Sequence, residues 1–70
     1  MASDPTIVNA RGMKCPWPAL RAARALRDAR AIVIEADDPV APRELEALAQ
    51  AQGWQFSALG DHRFALERAG

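Results

Sequence analysis

The chain of 70 residues has one cysteine, one histidine and no net charge, and each of these scarcities excludes something. A lone cysteine, Cys15, cannot close an internal disulfide, whereas small secreted domains usually depend on several. Cys15 and His62 together fall short of the three or four side chains that zinc takes, so no metal site is expected. There is no Cys-x-x-Cys pair, hence no resolving thiol for a dithiol cycle within one chain. No run of about 18 apolar residues exists to span a membrane. Met1-Ala-Ser-Asp-Pro-Thr6 lacks the charged-then-apolar order of a signal peptide. The cytoplasm is therefore the expected compartment. No glycine-rich loop is built to cradle a phosphate, and no cofactor is expected.

What is present suits one small folded unit. Half of the residues are apolar, enough for a core. A chain this short buries only about 60% of its unfolded surface, so that core is thin and a single domain over 1–70 is expected. The charges are balanced but not mixed. Residues 1–30 carry six basic side chains (Arg11, Lys14, Arg21, Arg24, Arg27, Arg30) against Asp4 and Asp28, a balance of +4. Residues 31–70 carry three basic against seven acidic, a balance of −4. Such asymmetry points to a basic face in the N-terminal half, although the sign alone identifies no partner.

Thr6-Ile-Val-Asn9 is a β-branched run and reads as a first strand. Arg11-Gly-Met-Lys14 follows as a turn, with Gly12 free to take positive φ. Cys15-Pro-Trp-Pro18 opens a helix in which Leu20, Ala22, Ala23, Leu26 and Ala29 recur at helical spacing, with Arg21, Arg24 and Arg27 on another side. Ala31-Ile-Val-Ile-Glu35 is apolar on both faces at its centre, as an interior strand is. Asp37-Asp-Pro39 breaks it. A second helix from about Pro42 presents Leu45, Leu48, Ala49 and Gln52 on a narrow stripe and ends at Gly53 in a left-handed C-cap. Trp54 to Ala58 alternates as a half-buried strand does. Gly60-Asp-His62 is turn chemistry, and Arg63 to Arg68 returns with Phe64 and Leu66 on one face. The order βαβαββ implies an α/β two-layer sandwich, a mixed four-stranded sheet with two helices on one face.

The chemistry concentrates at Cys15. Inside a helix each of Pro16 and Pro18 would cost about 3 kcal/mol. In a first turn they lose nothing, because those N–H groups lack an intrahelical acceptor. The helix must therefore start here, with Cys15 near the N-cap and the Trp17 N–H left for the sulfur. A helix N-terminus, with Lys14 and Arg11 close in sequence, is expected to lower the thiol pKa, and the thiolate is the nucleophile. A buried filler cysteine would be the ordinary reading of a lone thiol. A cap position, where Ser, Thr, Asp or Asn is the usual choice, argues against it. His62 lies far along the chain in an expected turn, so a Cys–His dyad is not supported.

The run Asn9-Ala-Arg-Gly-Met-Lys-Cys-Pro-Trp-Pro18 resembles the signature of the TusA/SirA-like sulfur-carrier family. In that family a strand, a glycine and two residues precede Cys-Pro-x-Pro at the start of the first helix. Glu35-Ala-Asp-Asp-Pro39 and Gly53 extend the resemblance over nearly the whole chain. The resemblance implies that Cys15 carries sulfane sulfur as a persulfide. It implies a protein donor, such as a cysteine desulfurase or rhodanese-like protein, and a protein acceptor in tRNA thiolation, cofactor maturation or sulfur metabolism. Gly12, Lys14, Pro16, Trp17 and Pro18 then shape the sulfur loop. Arg11, Arg21 and Arg24 are candidates for partner docking. The chain departs from the pattern at Asn9, usually Asp, and at Trp17, a very large residue inside the motif. It also has a short Asp28-Ala-Arg30 connection, and Ala49 stands where the family often has a second cysteine.

Two other classes compete with a sulfur relay. One is a binding or regulatory module that uses the basic face of the first helix. Direct nucleic-acid binding is not expected of it, since the domain is neutral overall and Trp54, Phe56 and Phe64 read as core. The other is a thiol redox enzyme, which would need a second cysteine from another molecule.

Overall fold

Ala31–Glu35 is the strand on which the rest assembles, and the computed structural model, which describes residues 5–68, shows why. In chain order the elements are β1 (Thr6–Asn9), α1 (Trp17–Asp28), β2 (Ala31–Glu35), α2 (Ala41–Gln52), β3 (Gln55–Gly60) and β4 (Arg63–Glu67). The sheet runs β1-β2-β4-β3, with β1 parallel to β2 and β4 antiparallel to both of its neighbours. β2 is thus flanked on both sides, as its unbroken apolar centre requires. The α/β two-layer sandwich with a mixed four-stranded sheet is the architecture expected from the sequence.

Register makes the core. Ile32 pairs with Leu66 and Ile34 with Phe64, so these four side chains share one face. Onto that face pack Ala22 and Leu26 of α1 and Ala41, Leu45 and Ala49 of α2, all buried. Each fully buried Leu or Ile contributes about 1.5–3 kcal/mol relative to an exposed one. The buried alanines add little bulk, which lets both helices approach the sheet closely. Phe56 stacks on Phe64 with ring centroids 6.0 Å apart and closes the β3 side. Val33, on the opposite face, is still buried, between Ile7 and Ala65 in the register.

Several boundaries differ from the sequence expectation. α1 begins at Trp17, with Pro16 as its N-cap residue, so Cys15 precedes the cap rather than forming it. α2 starts one residue before Pro42, and Gly53 does end it in the left-handed conformation, at φ 75°. Trp54 lies just before β3, which continues through Gly60, and a bulge between Ala58 and Gly60 absorbs the longer strand. The turn is therefore only Asp61 and His62, the latter at φ 64°. Leu20 departs most: it is 52% exposed, because Pro18, Ala22 and Leu26 fill the buried stripe and turn Leu20 away from it.

Candidate functional site

The segment 10–18 joins the end of β1 to the start of α1, and its backbone is tied to the segment that follows β2. The Ala10 N–H donates to the Glu35 carbonyl at 2.7 Å and the Met13 N–H to the Ala10 carbonyl at 3.2 Å. Gly12 turns the chain at φ 81° and donates its N–H to Asp37 Oδ1 at 2.9 Å. The Cys15 N–H donates to Asp38 Oδ2 at 2.6 Å. The other oxygen of Asp38 accepts the Val40 N–H at 3.0 Å, an Asx-type turn, and its carbonyl accepts the Ala41 N–H. One carboxylate thus spans the sulfur loop and the start of α2. Those bonds, with the charge of Lys14, hold Asp38 below the ordinary aspartate range, the Val40 and Cys15 amides being the main causes.

The thiol of Cys15 is exposed. The peptide bond between Cys15 and Pro16 is cis. Pro18 is buried in the core beneath the loop, and Trp17 stands exposed beside it. Here the electrostatics reverse the sequence expectation. The Cys15 thiol is pushed above its ordinary value, first by loss of water around it, then by Glu44, which favours the protonated thiol both as an acceptor and as a charge, and then by the charge of Asp38. Because the residue stays exposed, water screens these charges. The helix terminus does not compensate. The sulfur sits before the cap, the Trp17 N–H donates to the Lys14 carbonyl at 2.9 Å, and prolines 16 and 18 have no N–H to offer.

Of the other expected site residues, Arg11 turns to Glu35, with Nε 3.0 Å from Oε1, and so does not bring its charge to the thiol. Arg63 reaches the other oxygen of Glu35 at 3.7 Å. Arg21 and Arg24 lie on the exposed side of α1 with Arg27. Asp37, Asp38 and Glu44 shape the loop and its charge, and the site reading from sequence did not include them. Two aspartates directly ahead of a helix are a recognisable turn signal. Their bonds to residues far earlier in the chain are not.

A two-layer α/β fold that holds one exposed thiol on a loop tethered at the start of a helix defines a thiol-presenting domain. The chain belongs to the sulfurtransferase TusA family, whose model matches residues 6–68. It is also similar in fold to the crystal structure of a SirA-like protein from Desulfitobacterium hafniense. That likeness has a TM-score of 0.77 and covers 93% of this chain and 99% of that one, at 19% sequence identity. No curated protein matches the chain. Among the described residues no helix is long and apolar enough to cross a membrane.

Proposed function

We propose that the protein carries sulfane sulfur as a persulfide on Cys15, receiving it from one protein and handing it to another. It acts as a sulfurtransferase in a relay rather than as an enzyme that completes turnover alone. The observation that carries this reading is the exposed Cys15 sulfur, on a loop whose backbone is tied down at Gly12 by Asp37 and at Cys15 itself by Asp38. A carrier must present a terminal sulfur atom to two different proteins without letting it wander. A tethered, exposed loop meets both demands.

In the loading step the Cys15 sulfur attacks the outer sulfur of a donor persulfide. The sulfur–sulfur bond of the donor breaks, a new one forms on Cys15, and the donor leaves as a thiol with the proton that Cys15 gives up. No electrons are gained or lost overall. The nucleophile is the thiolate, so the carboxylates that favour the protonated thiol hold down the resting reactivity of Cys15. The donor is of the cysteine desulfurase or rhodanese-like kind. The acceptor belongs to tRNA thiolation, cofactor maturation or sulfur metabolism, and the setting is cytoplasmic. Gly12, Lys14, Pro16, Trp17 and Pro18 shape and flank the presenting loop, while Arg21 and Arg24 stand ready for a docked partner.

Intact-mass analysis after incubation with a cysteine desulfurase and free cysteine tests the reading. The expected result is a gain of one sulfur atom, removed by dithiothreitol and absent from Cys15→Ser. No gain with several unrelated donors on folded protein would refute it and return the weight to a binding module on the basic face of α1.

A further inference from the structure

One side of α1 has no partner within the fold. Trp17 is 60% and Leu20 52% exposed, one helical turn apart. With Met13 they floor an open groove of about 600 Å³, rimmed by Arg21, Arg24 and Arg27. A single exposed leucine calls for no explanation, but a contiguous Met–Trp–Leu floor does. The groove is continuous with the sulfur loop, since Met13 and Trp17 each stand two residues from Cys15. At 1.5 Å per residue the three arginines extend over about 9 Å of helix. The ion pairs formed among the described residues use Arg11 and Arg63, both with Glu35, so the rim arginines belong to none of them.

We propose that this groove docks an acidic amphipathic helix of a partner protein, its apolar side chains on the Met13–Trp17–Leu20 floor and its carboxylates against Arg21, Arg24 and Arg27. Apolar residues at i, i+3, i+4 and i+7 match a shallow floor of this kind, the helix-in-groove mode of recognition. Carboxylates flanking that stripe reach a row of guanidinium groups, which bind them through paired hydrogen bonds. Trp and Arg are also the residue types in which binding energy concentrates. A nucleic acid is the weaker occupant. Its phosphates would run past Asp37, Asp38 and Glu44 at the sulfur end, and a chain of zero net charge gives a polyanion no long-range attraction. The proposal deepens the carrier reading by naming the chemistry of a protein that meets the sulfur loop.

The test is binding to the reduced protein with no sulfur donor present. Three probes are titrated while amide shifts and tryptophan fluorescence are followed. They are an amidated peptide of about 15 residues, long enough to hold a helix, with leucine on one face and glutamate beside it; its lysine-for-glutamate counterpart; and a single-stranded oligouridylate. The glutamate peptide is expected to shift residues of the 13–27 segment and to bind at least about tenfold more tightly than the lysine peptide. Leu20→Ser with Arg24→Glu should weaken it about tenfold or more, with the remaining amide spectrum unchanged. Arg27→Glu alone provides the same comparison if the double variant does not fold. Equal binding of both peptides, shifts confined to other surfaces, or tighter binding of the RNA would overturn the proposal. No sulfur moves in this experiment, so its failure leaves persulfide loading of Cys15 standing. Failure to load sulfur, in turn, leaves the groove result standing.

Discussion

Replacing Gly12 isolates how much of the sulfur loop rests on backbone conformation. Gly12 takes φ 81°, and a Cβ placed there would meet no atom within 4 Å. The penalty for a side chain is therefore conformational rather than steric. A left-handed backbone costs an ordinary residue about 1–2 kcal/mol. Gly12→Ala also narrows the unfolded ensemble, which returns about 0.4–1 kcal/mol and leaves a net loss near 1 kcal/mol. The whole domain is worth roughly 4–10 kcal/mol at this length. With a urea dependence of about 1 kcal/mol per molar, the unfolding midpoint should fall by about 1 M. The thermal midpoint should fall by about 4–8 °C. Asparagine visits the left-handed region readily and valine hardly at all, so Gly12→Asn should lose least, Gly12→Ala more and Gly12→Val most. Urea and thermal unfolding of the three variants provide the assay. If Asn, the larger side chain, costs as much as Ala, crowding rather than φ governs the position and the reasoning fails. An Ala variant as stable as the native protein would refute it equally.

Two further predictions concern the carboxylates around the thiol. Glu44→Gln removes a charge that favours the protonated thiol, so the pH profile of Cys15 alkylation should move to lower pH and the rate near neutrality should rise. An unmoved profile, or one shifted upward, would deny that Glu44 acts on Cys15. Asp38 has a depressed pKa, so its bonds are fully present above the ordinary aspartate range and are lost as pH falls through its lower folded value. The exchange protection factors of the Cys15 and Val40 amides should accordingly fall as pH drops through that lowered value in the native protein, whereas Asp38→Asn should show reduced protection already at neutral pH and no such step. Protection that survives acid unchanged would refute the tether.

Much of this protein is written locally in its chain. The apolar, β-branched run at Ala31–Glu35 marks an interior strand, and the sheet flanks it with β1 and β4. Gly12 and Gly53 take positive φ where the turn and the helix end need it. The prolines around Trp17 place the start of α1 to within two residues, and the run that resembles the sulfur-carrier signature identifies the family. These features depend on neighbours in sequence, so sequence determines them.

Tertiary structure decided what depends on distant residues meeting. β4 lies between β2 and β3 because the hairpin returns its Phe64 and Leu66 onto Ile34 and Ile32, a pairing that element order alone does not impose. Leu20 sits at helical spacing with the core residues, yet the stripe is already filled by Pro18, Ala22 and Leu26, and Leu20 becomes the floor of a groove. The sign of the Cys15 pKa shift turned for the same reason. The local sequence offers a helix start and Lys14, both favouring a thiolate. The fold brings the charges of Asp38 and Glu44, which follow β2 in the chain, to bear on the sulfur, and the Trp17 amide is spent on the Lys14 carbonyl. Electrostatics at a site is a sum over everything near in space, and only the folded chain fixes what is near.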